Sequence, residues 1–155
     1  MAWLRFETPF GPMALAGEAA LTRLWLPGTL PDRGGRGEET PLLRAAREEL
    51  QEYFSGARRA FDLPLDPAGT DFQRSVWAAL RAIPYGETRT YGEIAAAVGR
   101  PKAVRAVGQA NHVNPLPIFI PCHRVVGKNG ALTGYAGGLD LKGALLALES
   151  GKECL

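Results

Sequence analysis

Cysteine and histidine are scarce in this 155-residue sequence, which contains only two of each. Two cysteines that are not obviously paired fit a reducing compartment. No apolar run is long enough for a transmembrane helix, and no signal peptide is evident. The sequence also shows no internal repeat and no low-complexity tract. We therefore expect a soluble, cytoplasmic protein without a membrane partner.

One of the two cysteines, Cys122, stands next to one of the two histidines, His123, in an apolar, strand-like run. A cysteine in apolar surroundings is normally inert, because burial raises its pKa and suppresses the thiolate. Pro115, Pro117 and Pro121 stiffen the approach and remove backbone donors, so this segment cannot be a central strand throughout. The pattern favours a nucleophile on a pocket floor, although a buried structural cysteine is the commoner role.

Two other roles for Cys122 stay open. A zinc site would be built from Cys122, His123, His112 and Cys154, but adjacent ligands fit none of the usual tetrahedral spacings. A papain-like pair of cysteine and histidine is the second. If residues 118–126 are extended, consecutive side chains point to opposite faces, and the imidazole does not easily reach the sulfur. Activation by His123 would then need a bent backbone or a bridging water.

The first part of the chain predicts a small sheet followed by a helix. The predicted elements are strands over 3–8, 13–17 and 21–26, turns over 9–12 and 17–20, a helix from Thr40 and Pro41 to Gly56, and a strand over 58–66. Residues 65–69 read as a linker. We therefore expect an α+β protein with an N-terminal scaffold domain over 1–68 and a second domain over 69–155.

The second part is predicted to be mostly helical. Thr70 or Asp71 can cap a helix whose apolar spacing ends before Pro84. The final helix is predicted over 139–149, and it presents Glu149 at its end.

Between these helices the signals indicate a helix-turn-helix. Thr90 and Glu93 form a capping-box pair that opens a short helix over 91–98. Gly99 supplies its C-terminal stop, and a second helix is predicted over 101–111 with a proline at its first position. Two short helices joined by a tight turn are typical of DNA-binding proteins, but any αα-hairpin gives the same pattern.

Basic residues are concentrated in the middle of the chain. Positions 72–128 hold eight basic and two acidic residues, whereas the segments on either side are slightly acidic. The basic residues are Arg74, Arg81, Arg89, Arg100, Lys102, Arg105, Arg124 and Lys128. A basic segment centred on a helix-turn-helix is expected for a protein that contacts a phosphate backbone, although charged runs also occur on ordinary solvated faces. A thiol downstream of a DNA-binding helix suggests chemistry on a base.

The run Pro121-Cys122-His123-Arg124-Val125-Val126 resembles the active-site signature of the O6-alkylguanine-DNA alkyltransferases, the methylated-DNA–protein-cysteine methyltransferases. Further matches to that family are Phe72…Val76-Trp77…Leu80, Ile83-Pro84-Tyr85-Gly86, Thr90-Tyr91-Gly92-Glu93-Ile94-Ala95, Arg105-Ala106-Val107-Gly108, Asn114-Pro115, Gly134-Tyr135-Ala136-Gly137-Gly138-Leu139 and Leu145-Leu146…Glu149. The resemblance is close over 72–149. It implies a short ribonuclease-H-like sheet with a helix, then a mostly helical domain with a helix-turn-helix.

Five positions match catalytic residues of that family. Cys122 matches the cysteine that accepts the alkyl group, and His123 matches the histidine that acts on it through water. Glu149 matches the acid that orients this histidine. Asn114 matches the asparagine that braces the active-site hairpin. Tyr91 matches the tyrosine that helps rotate the target nucleotide and can donate to a guanine nitrogen.

The resemblance also implies a DNA-binding set. Arg105 matches the arginine finger that enters the duplex and replaces the extruded base. Thr90, beside Tyr91, belongs to the same set. The small residues Ala106 and Gly108 on the second helix suit the minor-groove docking of the family.

Four positions match the substrate pocket. The Val125 carbonyl stands where the family reads the guanine amino group, and Tyr135 matches the tyrosine that lines the alkyl pocket. Pro117 belongs to the same pocket. Ala136 replaces a serine that donates to the substrate oxygen in some members, which bears on substrate range.

The implied reaction is a direct transfer of an alkyl group from O6-alkylguanine in DNA to Cys122, with O4-alkylthymine as a second candidate substrate. The base must leave the stack to be reached, and the thiolate must displace its alkyl group. The thioether product is not readily reversed, so each molecule would react once. The expected partner is double-stranded DNA with an alkylated guanine, the protein is expected to be a monomer, and no cofactor or metal is implied. A helix-turn-helix lesion-binding or regulatory protein with a structural cysteine, and a cysteine hydrolase, remain the alternatives.

Overall fold

The computed structural model describes residues 2–31, 37–135 and 137–151. Within them the chain forms a three-stranded antiparallel sheet, a two-stranded parallel sheet and five α-helices. The predicted α+β class is confirmed. Contacts divide the chain into two compact units, Met1–Ala68 and Gly69–Leu155. None of the helices in the described ranges combines the length and the apolar character that crossing a membrane requires.

The sheet of the first unit follows the apolar alternation of its strands. The strands are β1 (Trp3–Thr8), β2 (Gly11–Gly17) and β3 (Leu21–Trp25), in the order β1-β2-β3. Leu4 lies opposite Leu15, and Phe6 lies opposite Met13. All four side chains are buried, because residues two apart on a strand share one face.

One helix, α1 (Pro41–Phe54), packs against β1 and β2. Thr40 is its N-cap, and the Thr40 side chain accepts a hydrogen bond from the Leu43 amide, as the Thr-Pro signal predicts. Leu43 and Leu50 are fully buried, since their spacing places them on one face of the helix.

Two predictions for this unit were wrong. The turn after β1 is confined to Pro9 and Phe10, because β2 already pairs from Gly11. The predicted strand over 58–66 is reduced to a single bridge between Leu65 and Leu21. Pro64 interrupts this segment and has no amide to donate, which prevents a continuous ladder.

In its described residues the second unit contains four α-helices and the small parallel sheet. These elements are α2 (Asp71–Arg81), β4 (Arg89–Thr90), α3 (Tyr91–Ala97), α4 (Val104–His112), β5 (Val125–Val126) and α5 (Leu139–Glu149). A capping box opens α3 at Thr90, as predicted. Thr70 is the N-cap of α2, one of the two residues predicted for that place, and it also forms a capping box with Gln73. Strand β4 pairs with β5 and leads directly into α3, so the end of the cysteine segment is hydrogen-bonded to the start of the helix-turn-helix.

The helix-turn-helix consists of α3, a turn and α4. Gly99 has a φ of 77°, the left-handed conformation that favours glycine at a helix end. The second helix does not begin at Pro101 as predicted. Residues 100–103 form a turn in which the Ala103 amide donates to the Arg100 carbonyl at 2.9 Å, and α4 begins at Val104. Pro101 therefore lies in the turn and not at the first position of the second helix.

A buried hydrogen bond ties α2 to α4. The Trp77 indole Nε1 donates to the Ala110 carbonyl at 2.9 Å. Ala110 lies in the last turn of α4, where helix carbonyls lack partners within the helix. Trp77 therefore fixes the end of α4 that leads to the cysteine segment.

We predict that Trp77→Phe lowers the free energy of unfolding by about 1–3 kcal/mol, because the Ala110 carbonyl is left buried without its donor. Urea denaturation measures this change. A loss below about 0.5 kcal/mol would contradict a role for this hydrogen bond in stability.

Candidate active site

Two tight turns shape the chain before the cysteine. In the first, the Phe119 amide donates to the Pro117 carbonyl at 2.9 Å, and Ile118 between them has a φ of 73°. This is the rare γ-turn, which strains a β-branched residue. Ile118 is nevertheless fully buried, so apolar packing holds the strained conformation.

The second turn places Cys122. Its amide donates to the Ile120 carbonyl at 2.7 Å across Pro121, whose φ of −78° and ψ of 66° define an inverse γ-turn. Cys122 then opens a 3₁₀ helix, Cys122–Arg124. Residues 118–126 are not extended, since the two turns bend the chain and only β5 is a strand. The argument that alternating faces separate Cys122 from His123 therefore does not apply.

Asparagine side chains fix both sides of this segment. The Asn114 Nδ2 donates to the Ile120 carbonyl at 2.8 Å, and the Asn114 Oδ1 accepts from the Leu116 amide at 3.0 Å. Asn111, at the end of α4, donates from Nδ2 to the Cys122 carbonyl at 3.4 Å. The cysteine backbone is thus linked to the second helix of the helix-turn-helix.

The Cys122 side chain is buried, and its residue is only 4% exposed. Burial raises the pKa of the thiol to about 11, whereas a hydrogen bond from the Asn114 side chain and the nearby Lys142 charge act to lower it. The thiol is therefore protonated at neutral pH in this state of the protein. A reaction at sulfur needs a base to take that proton.

His123, the next residue along the chain, carries a basic group. Its ring is fully buried, and its Nε2 lies 2.6 Å from Glu149 Oε2. Burial lowers the pKa of His123, against the opposing effect of Glu149. The imidazole is therefore neutral at neutral pH. Because a carboxylate only accepts hydrogen bonds, Nε2 carries the hydrogen and the basic lone pair is on Nδ1.

Glu149, at the last turn of α5, is held from three directions. Arg124 donates to it twice, from Nε to Oε1 at 2.7 Å and from Nη2 to Oε2 at 2.9 Å. The Gly86 amide also donates to Oε1, at 3.4 Å. With His123 this makes four donors, which is the arrangement of an ionised carboxylate. Arg124 further donates from Nη1 to the Ile83 carbonyl at 2.7 Å, so the pair is anchored to the loop after α2.

We predict that Glu149→Gln lowers the free energy of unfolding by about 3–5 kcal/mol, because it leaves the buried Arg124 without its counter-ion. Urea denaturation provides the measurement. Glu87→Gln is the matched control, since it removes the carboxylate of an exposed ion pair with Arg89 and should cost less than about 1 kcal/mol. Similar losses in the two variants would contradict this account of the buried pair.

A second buried cation, Lys142, lies on α5. Its residue is fully buried, and its Nζ donates to the Thr133 carbonyl at 2.7 Å. Burial lowers the pKa of Lys142, and the interaction with Cys122 opposes that shift. The ammonium therefore favours the thiolate form of Cys122.

We predict that Lys142→Met moves the pH profile of Cys122 methylation by methyl iodide to higher pH. Without the ammonium the thiolate is less favoured, so the pKa of Cys122 rises and less thiolate is present at any fixed pH below that pKa. A pKa higher by one lowers the methylation rate there about tenfold. The measurement is the rate of mass increase across pH. Lys102→Met removes an exposed lysine and should leave the profile unchanged. A profile that moves to lower pH in Lys142→Met would contradict the prediction.

An open cleft of about 760 Å³ lies beside the helix-turn-helix. Its lining includes Tyr91, Arg105 and Gly108, three of the predicted DNA-binding residues, together with Thr133 and Gly134. The volume is in the range of small-molecule sites and would admit a nucleotide base.

Other predicted residues lie elsewhere. Thr90 uses its hydroxyl to cap α3, where it accepts from the Glu93 amide, and Ala106 is exposed on α4; neither lines the cleft. Tyr135 is buried, with its carbonyl accepting from the Gly138 amide at 2.9 Å. Ala136 lies outside the described residues.

Sequence reasoning did not single out Arg124, Lys142 or Thr133 as parts of this site. A signal for Lys142 was present, because it lies three residues before Leu145 and seven before Glu149 on a helix. Lys142, Leu145 and Glu149 therefore share the buried face of α5. For Arg124 and Thr133 no local pattern indicated their partners.

The zinc alternative receives no support from the described residues, among which no cluster of three His, Cys, Asp or Glu side chains could hold a metal ion. Cys154, one ligand of that alternative, lies outside them.

Two family profiles match the chain. Residues 71–151 match the DNA-binding domain of 6-O-methylguanine DNA methyltransferase, and residues 1–67 match its ribonuclease-like domain. The chain belongs to the 6-O-methylguanine DNA methyltransferase family. This confirms the family and the enzyme class that the sequence predicted.

Individual relatives agree with this assignment. The constitutive methylated-DNA–protein-cysteine methyltransferase of Bacillus subtilis is 54% identical over 151 residues, covering 92% of each chain. A methylated-DNA–protein-cysteine methyltransferase of Methanosarcina acetivorans is 52% identical, covering 96% of this chain and 98% of the relative. The crystal structure of Mycobacterium tuberculosis OGT in complex with DNA is 47% identical and superposes with a TM-score of 0.89, covering 97% of this chain and 94% of that chain.

Proposed function

We propose that this protein repairs DNA by transferring the alkyl group of O6-alkylguanine to its own Cys122 in a single, irreversible turnover. The observation that carries this proposal is a buried thiol followed in the chain by a buried histidine whose Nε2 is fixed by Glu149. Such a pair supplies a base to a nucleophile that is otherwise protonated.

The proton moves first. The Nδ1 lone pair of His123 takes the thiol proton through a water molecule, and the imidazolium that forms is stabilised by the Glu149 carboxylate. Lys142 stabilises the thiolate from α5. The thiolate then attacks the alkyl carbon, the bond from that carbon to O6 breaks, and a thioether remains on Cys122.

DNA is bound by the helix-turn-helix. Tyr91 and Arg105 border the cleft that receives the extruded nucleotide, and Arg105 fills the space left in the duplex. Extrusion is needed because the buried Cys122 thiol cannot reach the alkyl carbon of a base that stays in the stack. Tyr91 donates to a guanine nitrogen as the base leaves, and the Val125 carbonyl accepts from the guanine amino group.

The two units are proposed to have different roles. We assign DNA binding and alkyl transfer to residues 69–155 and a scaffold role to residues 1–68. The Asn114 hydrogen bonds brace the active-site hairpin, and Tyr135, Ala136 and Pro117 are assigned to the alkyl pocket. A monomer acting on duplex DNA, and a cytoplasmic location, stay predictions from the sequence.

A titration with excess substrate tests the proposal. With duplex DNA containing O6-methylguanine, the number of repaired lesions should equal the number of protein molecules and then stop rising. Cys122→Ser should abolish repair while the Kd for duplex DNA stays within about twofold, since the buried side chain changes by one atom. Repair beyond one lesion per molecule would indicate a hydrolase, and full repair by Cys122→Ser would exclude this nucleophile.

We predict that Arg105→Ala slows repair of a duplex substrate by about tenfold or more but changes the reaction with free O6-methylguanine by less than about twofold, because the free base needs no extrusion. Single-turnover rates on both substrates give the comparison. Arg81→Ala removes the same charge from α2, away from the cleft, and controls for loss of general attraction to phosphates. Equal losses on duplex and free base would refute the role of Arg105 in extrusion.

A further inference from the structure

The Thr133 side chain contacts the hydroxyl of Tyr91 at the edge of the cleft. Thr133 Oγ1 donates to the Tyr91 hydroxyl oxygen at 2.9 Å, and both residues line the cleft. A phenolic hydroxyl has one hydrogen to donate and can accept from others. With Thr133 as its donor, the hydrogen of Tyr91 stays available for another partner.

From this contact we infer that Thr133 is a positioning residue for alkyl transfer, which aims the Tyr91 hydroxyl hydrogen at the departing guanine. This inference rests on the proposed function. Thr133 touches neither the alkyl group nor the sulfur in this role, and it acts only through Tyr91.

Two features besides the Tyr91 contact hold Thr133 in place. Its carbonyl accepts from Lys142 Nζ at 2.7 Å, which ties the loop before α5 to the buried face of that helix. On the other side, Gly127 leaves room for the threonine methyl group, since a Cβ at position 127 would lie 3.2 Å from Thr133 Cγ2. The methyl is therefore directed to the Gly127 backbone and the hydroxyl to Tyr91.

The effect of the Thr133 hydrogen bond on methyl transfer follows from the bonds and protons that change in that step. As the bond between Sγ and the methyl carbon forms, the bond from that carbon to O6 breaks, and its electron pair stays on guanine. A guanine nitrogen takes the Tyr91 hydroxyl proton. His123 releases the proton that it took from the thiol to water, and water returns one proton to the Tyr91 oxygen, so no net proton is gained or lost. The Thr133 hydrogen bond to the phenolic oxygen stabilises the negative charge that develops there, because hydrogen bonds to charged groups are stronger than those to neutral groups.

Two substrates separate this effect from thiol activation. With an O6-methylguanine duplex, Thr133→Val should slow methyl transfer about tenfold, since it keeps the shape but removes the hydroxyl. With methyl iodide, whose leaving group takes no proton, the rate at Cys122 should stay within about twofold of wild type. Thr133→Ser keeps the hydroxyl and should restore the rate with the duplex to within about twofold. Thr133→Ala repeats the test if the valine variant is unstable by thermal denaturation.

A double-mutant cycle tests the dependence on Tyr91. In a Tyr91→Phe background, Thr133→Val should cause no further loss with the duplex, because the hydroxyl that it positions is gone. A wild-type rate for Thr133→Val, an equal loss with both substrates, or the same loss in the Tyr91→Phe background would each overturn the inference. Failure of the proposed function would show differently, as wild-type protein that takes no methyl group from the duplex, and that result would overturn both.

Discussion

The Glu149 carboxylate is the constraint on which the site depends. It is buried at the end of α5, and it joins that helix to the 3₁₀ helix of the cysteine through His123 and Arg124 and to the loop after α2 through Gly86. A buried carboxylate is tolerated only where its acceptor positions are filled. The same bonds fix the ring of His123, so the network that stabilises the second unit also orients its base.

Burial of the thiol raises its pKa, and the site offsets this effect with groups from separate elements. Lys142 comes from α5 and Asn114 from the segment after α4, and both act to lower the thiol pKa. The backbone contributes as well, since the strained turn at Ile118 and the proline turn before Cys122 set the direction of the nucleophile. Backbone strain of this kind persists where the surrounding packing determines the conformation.

Much of the fold could be predicted because its signals are local. Caps such as Thr40, Thr70 and Thr90 mark helices that begin where expected, and apolar alternation marks β1. The segment over 118–126 could not be predicted in the same way. Its apolar composition fits a strand, whereas its hydrogen bonds within the chain close γ-turns.

The candidate site also has residues that could be predicted from the sequence and contacts that could not. Cys122, His123 and Glu149 could be named from their resemblance to a family motif, and the structure brings the histidine and the acid into contact. The partnerships of Arg124 with Glu149 and of Thr133 with Tyr91 join residues 25 and 42 positions apart, which no local pattern encodes.

The most direct measurement is peptide mass spectrometry after reaction with duplex DNA that carries O6-trideuteromethylguanine. The account predicts one trideuteromethyl group per molecule, on the peptide containing Cys122. Label on another residue, or label released as methanol with Cys122 unmodified, would contradict it.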